Sequence, residues 1–542
     1  MLRQHHSPYA ALRKTWPWKG HRHLAELMSP SPSKNVPLNI AVLIAIHLAI
    51  AIPLAYLLGI WNDEASTLYA TRDGFWLAFQ TAATEQKQAP LYFWIISLWR
   101  QLNESIFFAR LFSIVCSVAA IWLFSRLSVR ILPAKRALLA TAFFALHPAL
   151  IWASLEIRVY SLVILLSVAL ILSFLDAFWE NSEPRWPSKA QFLVLAIISL
   201  YTNYYLGFLL VGFLVPLVLM RRWRSAFSYI ALMAVAGLAF LPMLLAVRSE
   251  FQDRSSSYRD PRSLIVGLKL LWEYVLSFLL PTELFPAGEA STVSMIRLWL
   301  IRLLLLITAG FTLARWRRLS SQTVGLAAIA GTTLVFLLVA YFLLGRWLVE
   351  FRHATVLFAP LIIFGASLLN DIFPERINER SISDRLGVPA FAIIVIVSFC
   401  YAVVNLYPNL TKKGDWIRVG KYLEQTERPN QPIIIFNTYD AIALPYHYKG
   451  VNRIYPDERF FEFSFGTTSP DRTKKRTDYT ISKIPPDAAE IWLIVSDECK
   501  WPGVCEPFEE FMRNNYDRVE EMEFYDQKVT LLRKKDVATN VR

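Results

Sequence analysis

LNIAVLIAIHLAIAIPLAYLLGIWNDEA, residues 38–65, decides the fold: an apolar run over 38–60 is followed at once by the polar cluster Trp61-Asn62-Asp63-Glu64. About 20 largely apolar residues suffice for a helix to cross a bilayer, so 38–60 predicts a span. Residues 1–37 carry Arg3, Arg13, Lys14, Lys19, Arg22 and Lys34, with Glu26 as the only acid. Such a tail is too long for the basic region of a signal peptide, and Gly59-Ile60-Trp61 is a poor cleavage site. The span is therefore expected to remain as an anchor, with residues 1–37 a cytoplasmic tail.

The rest of the chain repeats the pattern. Of 542 residues, 55% are hydrophobic and only 18% charged, and the mean hydropathy is +0.37. Soluble domains carry roughly 25% charge, so the deficit argues against a large soluble enzyme. The net charge of +13 does not indicate nucleic acid, because the basic residues sit in short clusters between apolar runs. Further runs lie near 106–126, 137–154, 159–179, 189–203, 205–220, 226–247, 295–314, 323–344, 354–370 and 388–406. Arg126/Arg130/Lys135/Arg136, Arg185/Lys189, Arg221/Arg222/Arg224, Arg315/Arg317/Arg318 and Arg376/Arg380/Arg385 occupy alternate connections, as the positive-inside rule requires of cytoplasmic loops. The expected fold class is a polytopic α-helical membrane protein of about eleven spans over 38–406. The loop 61–105 and everything after Tyr407 then face outward. Segments 90–102 and 263–280 read as helices lying in the outer interface.

From 407 to 542 the composition is that of a soluble α/β domain. Helices are expected over 415–427, with Asp415 as N-cap, and over 507–515; strands are expected over 433–436, 491–495 and 529–532. Cys116 and Cys400 lie in spans. Cys499 and Cys505 flank Pro502-Gly503, a turn signal that brings two cysteines within disulfide reach. An extracytoplasmic location would allow that bond to persist; the alternative is two free thiols in a reducing compartment.

The informative charges lie at the outer ends of the spans. Asp63 is either a cap of the following helix or, partly desolvated, a general base. Lys87 precedes Pro90-Leu91-Tyr92-Phe93. Arg110 opens the second span, where a lone Arg ordinarily snorkels. Glu156 and Arg158 follow the third span, and Glu156 and Tyr160 are expected to share a helical face at i,i+4. Arg352-His353 opens the tenth. If Asp63, Glu64, Lys87, Arg110, Glu156, Arg158, Arg352 and His353 converge, carboxylates face several cations of a kind suited to holding a phosphate. A phosphate at the membrane surface suggests the head of a polyprenyl phosphate lipid.

These motifs resemble the GT-C membrane glycosyltransferases, in particular glycosyltransferase family 39, which holds the dolichyl-phosphate-mannose-dependent protein mannosyltransferases, together with the lipid A aminoarabinose transferases. The matching residues are Asp63-Glu64, Pro90 to Phe93, Ala109 to Ser113, Glu156 to Ser161, Arg352-His353 and Asp415-Trp416, in this order, over about 38–448. The chain departs from many relatives at Asn203-Tyr204-Tyr205, where they carry His, and at Ala89-Pro90, where they carry Pro-Pro. It departs from the aminoarabinose branch at Arg158, near an Asp of that branch, so the donor cannot be copied from it.

The resemblance implies an inverting transfer of a monosaccharide from a polyprenyl-phosphate donor to an acceptor hydroxyl of a protein, lipid or glycan. Asp63 is then the base, beside Glu64. Lys87, Arg110, Arg158, Arg352 and His353 hold the donor phosphate, with Glu156, Tyr160, Tyr92, Asn203 and Tyr204 in support. No cofactor or metal is expected to be required; a divalent ion on Asp63, Glu64 and Glu156 is the minority reading. The expected setting is a bacterial inner or plasma membrane. The alternative is a transporter or flippase of lipid-linked sugars, but the spans carry almost no charge at mid-membrane, where transporter sites lie.

Overall fold

The structure is a computed structural model and describes residues 36–84, 88–179, 186–257, 263–279, 292–344, 349–373, 396–412, 414–436, 442–456, 470–496, 499 and 505–535. Lys87, the tail 1–35, most of the loop 280–294 and the basic connection around Arg376, Arg380 and Arg385 lie outside the described residues.

The molecule is a helical membrane protein with a small C-terminal sheet. Among the described residues six helices are long and apolar enough to cross a bilayer, and a bent pair makes a seventh. They are Leu38–Leu57, Ile106–Ile131, Tyr160–Trp179, Trp223–Leu245, Ser321–Leu343 and His353–Ile372, with Ala134–Leu146 and Pro148–Ser154 as the pair. The pair bends by 50° at Pro148, which lacks the N–H that would continue the ladder; His147 Nδ1 accepts from the Ala149 N–H instead (3.1 Å). The expected runs at 189–203 and 205–220 are the helices Trp186–Thr202 and Leu206–Leu219, shorter than a full crossing. At least six spans are thus established, against the eleven expected. The apolar segments 90–102 and 263–280 are the helices Leu91–Arg100 and Leu264–Leu279.

Polar bonds tie the bundle where lipid cannot drive helices together. His47, within the first helix, bonds Ala145 O through Nδ1 (2.8 Å) and the Ser117 hydroxyl through Nε2 (3.0 Å). Directly after that helix the chain turns into Asn62–Ala70. It breaks at Thr71–Gly74, where Gly74 has φ +93°, and re-enters a helix at Phe75–Thr84.

In the C-terminal unit the strands β1 (Ile433–Ile435), β2 (Ile454–Tyr455), β3 (Glu490–Ser496), β4 (Tyr516–Phe524) and β5 (Gln527–Lys534) form one sheet in the order β2-β1-β3-β5-β4. β1 is parallel to β2 and β3, whereas β5 is antiparallel to β3 and β4. The buried apolar runs β1, β3 and β5 match the expected strands. β2 and the largely exposed β4 carry no apolar run that could have announced them. Helices Trp416–Thr426 and Glu506–Asn515 flank the sheet, and Cys499 is disulfide-bonded to Cys505. Asp415 occupies the N-cap position without a capping bond, because its carboxylate takes Arg418 (2.7 Å).

The unit is seated on the membrane helices through a shared apolar core. Ile60, Ala65, Leu68, Ala109 and Ile157 pack with Trp416, Val419, Ile433 and Trp492. Gly420 is required at this seat, since a Cβ there would lie 2.5 Å from the His447 carbonyl oxygen.

Candidate active site

The helix Asn62–Ala70 begins two residues after the last apolar residue of the first run, so both its acids fall in the first turn against the ends of other helices. Asp63 is ion-paired with Arg352 and with Arg158 (3.5 Å). The N-cap of that helix is Trp61, so the capping position that the sequence left open is not the place of Asp63. Arg158 Nη1 also donates to the Asp63 carbonyl (3.2 Å) and to the Thr67 hydroxyl (2.9 Å), which holds the guanidinium along the face of that helix. Arg352 is bracketed by a second acid, with its Nε 2.7 Å from Glu350. Its side chain keeps 26% exposure while that of Asp63 keeps 7%, so the pair forms the accessible edge of the cluster.

Glu64 points the other way, into a fully buried network. Arg110 reaches it through Nε (3.3 Å) and Nη2 (3.1 Å), the Ile157 N–H donates to it (3.0 Å), and Lys412 Nζ lies 2.8 Å away. Lys412 also binds Glu156 Oε1 (2.9 Å) and donates to the Leu155 carbonyl (2.8 Å), which uses all three ammonium protons. The Trp61 indole N–H donates to the other Glu156 oxygen (2.6 Å). Burial pushes the Glu64 carboxyl up, but Arg110 and Lys412 outweigh it and hold the group below the usual carboxylate range. Burial pushes Glu156 up, opposed by Lys412 and reinforced by the neighbouring Glu64. Lys412 is pushed down by burial, against the pull of both acids.

Arg110 is not at the surface. Besides Glu64, it donates to the carbonyls of Ala55 (2.9 Å), Leu58 (2.6 Å) and Gly59 (2.6 Å), and it is fully buried. These carbonyls end the first helix and lack intrahelical partners. Every N–H of the guanidinium is therefore committed to the fold, so the expectation of a phosphate ligand at Arg110 gives way to that of a helix-end staple.

Glu156 and Tyr160 do not share a helical face. Residues 155–158 form a non-helical turn, and the next helix starts at Tyr160. The turn is held by side chains: the Ser113 hydroxyl donates to Glu156 O (2.6 Å) and Glu64 accepts from Ile157 N–H. Tyr160 instead stacks on Trp152 (4.8 Å). Tyr92 is buried against Phe93 and Phe112. His353 stacks on Tyr205 (5.0 Å), and its Nδ1 accepts from Glu350 N–H (3.2 Å). Asn203 accepts from Tyr205 N–H (2.9 Å), so it shapes the loop that presents this ring. Tyr204 packs on Phe240.

Asp63, Glu64, Glu156, Arg158 and Arg352 thus meet from three segments. Lys412 completes the network and was missed by sequence reading, because it lies in the polar run Thr411-Lys412-Lys413-Gly414 that reads as solvated surface. The one available signal was its place just before Asp415-Trp416. Among the described residues no group of three His, Cys, Asp or Glu is placed to hold a metal. The carboxylates of Asp63, Glu64 and Glu156 are instead occupied by cationic side chains.

Residues 87–245 match the family model described as dolichyl-phosphate-mannose-protein mannosyltransferase. No curated protein matches. Among solved structures the chain is similar to ArnT from Cupriavidus metallidurans bound to undecaprenyl phosphate, at 12% identity and a TM-score of 0.55, covering 92% of this chain and 98% of that one. It is also similar to the oligosaccharyltransferase AglB from Archaeoglobus fulgidus in complex with an inhibitory peptide and a dolichol-phosphate, at 12% identity and a TM-score of 0.50, covering 94% and 76%. The resemblance to the GT-C membrane glycosyltransferases is borne out by the matched residues together with the shared fold.

Proposed function

Because the chain resembles the GT-C glycosyltransferases in motif and in fold, we propose that it moves a monosaccharide from a polyprenyl-phosphate donor to an acceptor hydroxyl at the outer face of a bacterial plasma membrane. The observation that carries this reading is the half-open cluster in which Arg158 and Arg352 converge on Asp63. With no substrate the two guanidiniums neutralise Asp63. A lipid phosphate presents more oxygen acceptors than one carboxylate and competes for both arginines. Arginine that turns to the phosphate leaves Asp63 free to take the acceptor proton. The acceptor oxygen then attacks the anomeric carbon opposite the phosphate, which departs as a lipid phosphate stabilised by the same arginines. The configuration inverts. The presence of a phosphate-linked lipid in similar folds supports this donor class.

The site residues do not fit a resident divalent ion. Glu64 and Glu156 already share the Lys412 ammonium, and Asp63 shares arginines. We therefore assign the charge-balancing role to side chains and expect transfer to survive EDTA. The test is transfer of label from polyprenyl-phosphate sugars to hydroxyl acceptors by the purified chain in detergent. Vectorial movement of the intact lipid-linked sugar without transfer would favour a flippase instead.

A further inference from the structure

Lys412 belongs to the C-terminal unit, yet its ammonium lies inside the membrane-side network. Its partners are Glu64 (2.8 Å), Glu156 (2.9 Å) and the Leu155 carbonyl (2.8 Å). These partners bracket the turn 155–158. Leu155 is held by Lys412 directly, Glu156 by Lys412 and Trp61, and Ile157 through Glu64. The next residue is Arg158, which contacts Asp63. A second anchor lies beside it, where the Ile60 N–H donates to His447 Nε2 (3.1 Å). The charges of this inner network balance: Glu64 and Glu156 against Arg110 and Lys412, with Arg110 committed to the first helix.

We propose, resting on the transferase reading, that Lys412 is a positioning residue: the seated C-terminal unit supplies the fixed cation that locks the 155–158 turn and thereby sets Arg158 against Asp63. The phosphate-binding edge is complete only while that unit is docked. Without the ammonium, Glu64 and Glu156 face each other across the vacated position with only Arg110 to offset them, and one of the two takes up a proton. The charged and titratable groups facing the position are Glu64, Arg110, Glu156, Tyr407 and, through Arg110 and Glu64, His447.

The test uses the full chain in detergent, as wild type, K412M, E156Q and K412M/E156Q. Two readouts are taken: amide hydrogen exchange over 155–158, and binding of undecaprenyl phosphate against pH. K412M is expected to speed exchange and weaken binding on the order of tenfold or more. Its binding should recover toward that of wild type as the pH falls and one of Glu64 and Glu156 takes up a proton, which displaces its pH profile from that of wild type. K412M/E156Q, in which a carboxylate is neutralised together with the ammonium, should recover toward wild type in both readouts. A merely structural lysine would predict the reverse: the double variant worse than either single one, with no displacement of the pH profile. Wild-type exchange and binding in K412M would overturn the proposal. If K412M does not fold, E156Q decides alone, since it should loosen 155–158 and unchanged exchange there would count against the lock. Failure of wild type to bind undecaprenyl phosphate would remove the transferase reading, whereas the exchange arm would still judge the lock.

Discussion

Two arginines that look alike in sequence, each at the end of an apolar run, do opposite work. Arg110 is consumed by three helix-end carbonyls and Glu64, whereas Arg158 spans Asp63 and Thr67 beside the half-buried Arg352. Arg110→Ala strands a buried carboxylate and several carbonyls, and should cost about 3–5 kcal/mol of stability. Folded yield and thermal unfolding in detergent check this, and a normally stable variant would refute the staple. Arg158→Ala should leave the chain folded and weaken donor binding by about 1.5–3 kcal/mol, the worth of a charge-assisted bond. Asp63→Asn keeps the shape of the side chain but removes the base, so turnover should fall about 10²–10⁴-fold with folding unchanged. Near-normal transfer by that variant would end the assignment.

At the scale of elements, the contact between the first helix and the C-terminal unit is sensitive to pH. His447 accepts from Ile60 N–H, a role open only to the neutral ring, and burial next to Arg110 lowers its pKa from 6.5 to about 4. Between those values the unfolded or undocked chain binds a proton that the docked chain does not. Stability of the docked state therefore rises with pH through this window and is lost as pH falls from 6.5 toward 4. Exchange of the Ile60 amide, taken relative to its intrinsic rate at each pH, should accelerate over that range in wild type. In His447→Gln, which has no titrating ring, the acceleration should be absent; an identical profile would exclude His447 as the source.

For the whole molecule, the reading depends on which side of the bilayer the C-terminal unit occupies, because the Asp63 cluster and that unit share one core. Val451 is exposed on the unit. Val451→Cys should react in intact cells with a thiol reagent that cannot cross the membrane. Labelling only after permeabilisation would place both the unit and the site on the cytoplasmic face and would overturn the outward-facing reading.

Hydropathy is a property of consecutive residues, so the spans from 38, 106, 160, 223, 321 and 353 were legible without any tertiary contact. So were the strands built on Ile433, Ile491 and Val529. Charge beside lipid is costly, and that cost marked Asp63, Glu64, Glu156, Arg158 and Arg352 before any geometry was known. The partners of these charges were not legible. Lys412 meets Leu155 and Glu156 across more than 250 residues, and nothing in its polar neighbourhood distinguishes a buried lysine from a solvated one. Arg110 turned inward because the first helix ends with carbonyls that lipid cannot satisfy, and residues 155–158 left the helical path because side chains of other segments hold their backbone groups. Local sequence determined which segments enter the membrane and where charge must lie. Only the packed structure decided which charge answers which, because pairing energies depend on distances that the chain sets by folding back on itself.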